Sequence, residues 1–245
     1  MAKLFDFPLV FTQIPLILEA LPMTLALTIL AFIGGLMVAL PIAIVKMNKV
    51  PVLRQICAVF VSITRGTPVL VQLYLIYFGI PLMFKYINFY HGTNFNVRNV
   101  PSIVFALIAL ALNEAAYNSE TIRAALQSVA KGQIEAAHSL GMTGIQTLKR
   151  VIIPQAFLIA MPPLGNSLIG LLKGTSLAFV CSLVEMTARG KILAGVNYRY
   201  FEAYCSLAII YWVLTLAIEQ GLRHAEKKLR IPDTAPPIVI GKDHI

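Results

Sequence analysis

Residues Met23 to Val45 read MTLALTILAFIGGLMVALPIAIV, 23 positions without an ionisable side chain. About 20 apolar residues in a helix cross the hydrocarbon of a bilayer, where backbone groups find no water and must satisfy one another. Working outward, four more regions qualify. Ile56 to Leu82 encloses Arg65-Gly66-Thr67-Pro68, and a third region runs from Pro101 to about Tyr117. A fourth begins near Val151 and is interrupted by Pro154, Pro162-Pro163, Gly170 and Lys173-Gly174; a fifth covers Tyr204 to Gln220. The 36 residues from Val151 to Met186 are too many for one simple span. They fit either two spans or one span followed by a short helix that re-enters the protein. Residues 5–22 hold Pro8, Pro15, Pro22 and Glu19, so an amphipathic segment on the membrane surface is expected there rather than a continuous span.

Composition agrees with a polytopic membrane chain. Of 245 residues 58% are hydrophobic and 13% charged, with a mean hydropathy of +0.78. Soluble domains carry about 25% charged residues, so disorder, collagen and disulfide scaffolds are excluded. The charge that remains is unequal, 20 Lys and Arg against 11 Asp and Glu. With five spans, twelve cations fall on one side: Lys46, Lys49, Arg54, Arg123, Lys131, Lys149, Arg150, Arg223, Lys227, Lys228, Arg230 and Lys242. Six fall on the other (Lys3, Lys85, Arg98, Arg189, Lys191, Arg199), while Arg65 and Lys173 lie within spans. Cytoplasmic loops collect Lys and Arg, which places the N-terminus outside and the C-terminus in the cytoplasm. A sixth span would expel the basic tail. The net charge of +9 is therefore a topology signal, not a nucleic-acid patch. No cleaved signal peptide is expected at Met1-Ala2-Lys3, and Cys57, Cys181 and Cys205 form no metal or disulfide pattern.

Between the third and fourth regions the chain reads GQIEAAHSLGMTGIQ from Gly132 to Gln146. Two short helices are expected. The first opens at Gly132, with Glu135 in its first turn and the small Ala136 and Ala137 allowing close approach by a partner. Gly141 suits the position past a helix end, where positive φ is required. Thr143 with Gln146 forms a capping-box pattern that opens the second helix. Ile145, Leu148 and Ile152 follow on one face. On this reading alone the segment is either an interfacial connector or a docking element for a cytoplasmic partner.

The run Glu135-Ala136-Ala137, Gly141 and Val151-x-Ile153-Pro154 resembles the EAA motif of ABC importer permeases, with Val151 and Ile153 replacing the usual Ile and Leu. Arg65-Gly66-Thr67-Pro68 with Gln72 is similar to the R-G-T-P-x-x-x-Q of polar amino acid permeases. So are Ala116-Tyr117 with Glu120 and Arg123, Lys131-Gly132-Gln133, Pro163-Leu164-Gly165-Asn166 and Lys173-x-Thr175-Ser176-Leu177. The resemblance covers nearly the whole chain and is to the histidine/glutamine/cystine type of importer. It implies an all-α integral membrane protein of the type I importer fold. That fold has five transmembrane helices across 23–220, an external or interfacial segment 1–22, a cytoplasmic coupling loop 126–150 and a cytoplasmic tail 221–245. It implies a bacterial cytoplasmic membrane, a second permease copy or paralogue, a dimeric ATPase and an external amino acid-binding protein. The ATPase would contact Gly132, Glu135, Ala136, Ala137, Leu140 and Gly141. The chain has no G-x-x-x-x-G-K-[ST], so ATP and Mg are expected on the partner, with no cofactor on this chain and no enzymatic activity of its own.

Charged groups inside a span default to functional hypotheses. Glu114, after Asn113, is a candidate contact for a substrate α-amino group, or else an ion-pair partner of Arg65 or Lys173 or a group near the cytoplasmic edge of the span. The family commonly has a small or hydroxyl residue in its place. Lys173 sits where the family usually shows K-D-T/S-S, with Gly174 replacing the acid, and is as readily structural as a carboxylate contact. Arg65 reads as structural. Permeases for basic amino acids often carry Glu after the equivalent of Asn166; the small neutral Ser167 resembles the cystine type. Asn166, Ser167 and Thr175, with Thr67 and Gln72, complete the expected substrate path. The alternative is a secondary amino acid transporter, but only Glu114 is a candidate proton or ion site, and no internal repeat appears.

Overall fold

A computed structural model describes residues 4–48, 50–96 and 99–229. Lys3, Lys49, Arg98, Arg230, Lys242 and the expected tail beyond Leu229 lie outside the described residues. Eleven α-helices occur among them: α1 (Phe7–Thr12), α2 (Ile14–Leu18), α3 (Leu21–Met47), α4 (Leu53–Gly66), α5 (Val69–His91), α6 (Ser102–Gln127), α7 (Lys131–Ser139), α8 (Gly144–Thr147), α9 (Ile153–Gly174), α10 (Met186–Asn197) and α11 (Tyr200–Leu229). Five helical segments are long and apolar enough to cross a membrane: α3, α5, α6, the continuous run Gly144–Cys181, and α11.

Prolines punctuate the chain by opening helices. Pro8, Pro15 and Pro22 occupy the first two positions of α1, α2 and α3, where their missing N–H costs no hydrogen bond. The segment before Leu21 is accordingly two short helices rather than a span. Pro68 acts differently. A residue before proline is driven out of helical geometry, and Thr67 is extended at φ −118°, ψ 143°. The region read as one helix from Ile56 to Leu82 is thus α4, a two-residue break and α5.

The break is closed by Gln72. Its Nε2 donates to the carbonyl of Thr64 (2.7 Å), the carbonyl of Thr67 (3.0 Å) and Thr67 Oγ1 (2.9 Å), while its Oε1 accepts from Asn113 Nδ2 at 3.0 Å. Carbonyls freed at the end of α4 would otherwise be orphaned at membrane depth. The R-G-T-P-x-x-x-Q spacing is therefore a self-capping broken helix.

Of the two readings for Val151–Met186, a single span followed by a short helix is correct. A π-helical turn (Leu148–Ile152) leads from α8 into α9, and a tight 3₁₀ segment (Thr175–Cys181) extends it. Ser182 then turns the chain at φ 59° into α10. The second helix of the loop is thus the beginning of the fourth span rather than a separate element. The fifth span, expected over Tyr204–Gln220, is longer at both ends.

The core forms where α3 and α6 pack over most of their length. Leu27, Ala31, Ala106, Ala109, Leu110 and Leu73 of α5 cluster there with Leu171, Ala178 and Cys181. A second cluster seats Ile17 and Ala20 against Met186, Leu207 and Ile210, placing α2 and α10 beside the first half of α11. The EAA segment lies at the opposite end of the bundle, near Ala125, Val129, Ala156 and Ala160.

Candidate functional site

The coupling segment is built from local rules. Lys131 is the first residue of α7, so Glu135 falls in the second turn rather than the first, and its carboxylate is exposed on the helix surface. Gly141 has φ +77°. The Gly141 N–H donates to the carbonyl of His138 (2.9 Å) and the Met142 N–H to that of Ala137 (3.1 Å), the paired bonds of a Schellman end. Thr143 then caps α8 with both capping-box bonds present. Ala137 is buried, while Gly132, Glu135, Ala136, Leu140 and Gly141 are exposed. Leu140 is 83% exposed and Ile145 69%, an apolar pair standing out of a polar loop. A side chain from Gln155 in α9 bonds Gln133, bracing α7 against the fourth span.

The second feature is a cavity of about 720 Å³ that opens to the surface of the bundle, bounded by α6, α9 and the α4–α5 break. Thr67, Asn113, Glu114, Asn118 and Ser167 line it. Glu114 is 7% exposed, and its Oε2 accepts from Ser167 Oγ (2.6 Å) and Asn118 Nδ2 (2.9 Å). The expected alternative, an ion pair to Arg65 or Lys173, does not form among the described residues. Arg65 lies over the Tyr117 ring at 5.1 Å, and Lys173 is exposed outside the cavity lining. Asn118 is 1% exposed, and its Oδ1 has no hydrogen-bond partner among the described residues.

Three other expected path residues are placed elsewhere. Asn166 is exposed, because one residue along a helix turns the side chain by about 100° away from the Ser167 direction. Thr175 is fully buried and donates to the carbonyl of Leu172 at 2.7 Å. Gln72 serves the helix break, reaching the site only through Asn113.

Residues outside the sequence expectation also matter. Glu120, toward the C-terminal end of α6, binds Lys46 of α3 and Arg123 (2.7 Å) and borders the cavity. Glu185 is fully buried and caps α10, accepting from the backbone N–H of Thr187 (2.7 Å) and Ala188 (2.8 Å). Burial raises its pKa above the ordinary glutamate value, opposed by those hydrogen bonds. An isolated Glu before Met-Thr-Ala carries no strong cap signature, which is why it was not legible.

Residues 31–231 match the family described as the binding-protein-dependent transport system inner membrane component. A probable amino-acid permease protein, YxeN, of Bacillus subtilis (strain 168) is 44% identical over 86% of this chain and 90% of its own. The L-cystine transport system permease protein TcyL of the same organism is 34% identical over 94% of each chain. The crystal structure of an amino acid ABC transporter with histidines superimposes with a TM-score of 0.78 at 38% identity, covering 92% of this chain and all of that one. An inward-facing MetNI methionine ABC transporter shares the fold at a TM-score of 0.62 and 18% identity. The reading as a secondary transporter is set aside, and ATP hydrolysis belongs to a separate subunit. The chain belongs to the family of binding-protein-dependent transport system inner membrane components, as an integral membrane permease subunit of an amino acid ABC importer.

Proposed function

We propose that this subunit carries a neutral, zwitterionic amino acid past Glu114, with the EAA segment transmitting the closure of a bound ATPase pair. The observation that carries the reading is the Glu114–Asn118 pair. Glu114 and Asn118 both line one cavity, the carboxylate with no ion-paired cation and the Asn118 Oδ1 buried with no partner among the described residues. Two acceptors with no charged donor suit an ammonium group, because a buried charge needs a partner and a buried acceptor needs a donor. Ser167 keeps the far wall small and neutral, which supports a side chain without positive charge. L-cystine, named for two relatives, falls in this class.

The orientation is N-terminus outside and C-terminus inside a bacterial cytoplasmic membrane. Lys46, Arg123, Lys131, Lys149, Arg150 and Arg223 gather at the end bearing the EAA segment. The N-terminal helices, α10 and the start of α11 gather at the other. An ATPase dimer would engage the exposed Leu140 and Ile145 around Gly141 from the cytoplasm. An external binding protein would deliver substrate, and a second permease copy or paralogue would complete the pathway. ATP and Mg stay with the ATPase, and this chain needs no cofactor.

Vesicles reconstituted with permease, ATPase and binding protein test this. Uptake of zwitterionic amino acids should fall at least tenfold in Glu114→Gln while ATPase assembly persists. Unchanged uptake would remove Glu114 from the path.

A further inference from the structure

We infer that Arg65 of α4 and Tyr117 of α6 form a cation–π latch that separates the transport cavity from a second, cytoplasm-facing chamber. This second chamber is a groove of about 530 Å³ open to the surface, lined by Lys46, Ala58, Val61 and Ser62 together with Arg65, Gly66, Tyr117 and Glu120. The last four residues also line the larger cavity. The wall between the chambers is therefore the end of α4 on one side and one turn of α6 on the other.

The geometry makes Arg65 the movable part of that wall. Its guanidinium carbon stands 5.1 Å from the Tyr117 ring centroid, within range of a cation–π contact. The neighbouring carboxylate, Glu120, is held by Lys46 and Arg123. Among the described residues the guanidinium is consequently shared with a ring and not with an ion pair, a weaker and more easily broken attachment. Arg65 is also the penultimate residue of α4, directly before the extended Thr67-Pro68 break. The Gln72 side chain ties α5 to the end of α4 across that break, and the Thr67 hydroxyl donates back to the Ile63 carbonyl (2.9 Å), so the end of α4 can shift without unwinding α5. Lys46, at the last turn of α3, fixes the second chamber at the EAA end of the bundle. A solute moving from Glu114 toward that end passes between Arg65 and Tyr117. Release of the latch joins the two chambers into one path. The direction of travel rests on the orientation proposed above; the partition does not.

Thiol accessibility tests the latch in the full importer, with Cys57, Cys181 and Cys205 replaced by Ala. Gly170 lines the large cavity only, and a Cβ there meets nothing within 4 Å, so Gly170→Cys reports on it. Ser62→Cys reports on the second chamber. A charged, membrane-impermeant thiol reagent is added from either side of the membrane. From the cytoplasmic side, Gly170→Cys should react more slowly than Ser62→Cys. Tyr117→Leu and Arg65→Gln should raise the Gly170→Cys rate about fivefold, the factor for losing a contact of ~1 kcal/mol. Tyr117→Phe, which keeps the ring, should leave it unchanged, as should Ser62→Cys in every background. Equal starting rates, no rise in Tyr117→Leu, a Tyr117→Phe rise equal to that of Tyr117→Leu, or a parallel rise at Ser62→Cys would each overturn the latch. Reaction of Ser62→Cys only from the outside would overturn the orientation while the rate ratios still judge the latch.

Discussion

Gly35 of α3 lies so close to Glu114 of α6 that a Cβ on Gly35 would stand 2.6 Å from the Cβ of Glu114. The same added carbon would be 3.1 Å from the Ala111 carbonyl oxygen. The absent side chain lets two long helices meet over the carboxylate and fixes its stem from behind. The acidic group faces the cavity from a rigid backbone, which is what a discriminating contact requires.

Gly35→Ala should therefore separate α3 from α6. The neighbour is backbone and a Cβ, neither of which swings aside, so overpacking of about 1–3 kcal/mol is expected. Gly34→Ala is the control, because its Cβ would meet only Ala111 Cβ at an ordinary 3.5 Å. Thermal unfolding of the purified protein in detergent should show a several-degree loss for Gly35→Ala and little change for Gly34→Ala.

Gln72→Leu removes the amide that closes the α4–α5 break. The carbonyls of Thr64 and Thr67 and the amide of Asn113 all lose a partner, at about 1–3 kcal/mol for each buried group left unsatisfied. Lower thermal stability together with faster proteolysis between Gly66 and Val69 is the expected result. Cleavage elsewhere with an intact break would contradict the capping role.

Gly141→Asp should leave the permease in the membrane and uncouple it. A Cβ at Gly141 meets nothing within 4 Å, so the penalty is backbone strain at φ +77°, roughly 1–2 kcal/mol, and not collision. Gly141→Asn is the discriminating control, since Asn adopts this conformation more readily. Pull-down of the ATPase subunit should weaken in the order Gly, Asn, Asp, while permease abundance stays constant.

Which features were legible follows from their range along the chain. Gly141, the Thr143–Gln146 box and the helix-opening prolines are decided within a few residues, so sequence identifies them. Glu135 moved from the first turn to the second because α7 opens one residue earlier, at Lys131, and boundaries are set by weak competing preferences. Ser167 stands out in the sequence as a small neutral residue after Asn166, but its bond to Glu114 spans 53 positions and depends on how α6 and α9 are rotated together. The same rotation sent Asn166 outward. Gln72 looked like a substrate contact because its true partners are backbone carbonyls, which no residue-type pattern displays.

Glu185 predicts a pH dependence of stability. Burial raises its folded pKa above the ordinary value near 4.5, so the folded chain holds the proton more tightly than the unfolded one. Its contribution to stability then falls as pH rises from about 4.5 through the raised value, and is constant beyond that window. Glu185→Gln removes the titration at the cost of one of the two N–H bonds, to Thr187 or Ala188. The melting-temperature difference between wild type and variant should shift in favour of the variant as pH rises through this window. A difference independent of pH would mean that burial does not raise the folded pKa of Glu185.

Ser167→Glu asks whether the cavity reads the substrate's charge. The Ser167 hydroxyl sits 2.6 Å from Glu114 Oε2, so a carboxyl at this position would share the same small volume. Two carboxylates this close cannot both ionise without a cation between them. A zwitterion supplies one ammonium, which a single carboxylate already matches, and the second acid would meet the substrate carboxylate unfavourably. A basic amino acid brings a further cation that can neutralise the pair. Competition uptake assays should therefore show preference moving from neutral toward basic amino acids by about tenfold, the ratio that ~1.4 kcal/mol of differential interaction produces. The binding protein delivers only what it can hold, so the comparison requires a variant transporter that works without one or a binding protein accepting both classes. Preference unchanged in that setting would mean that the membrane cavity passes whatever it is given.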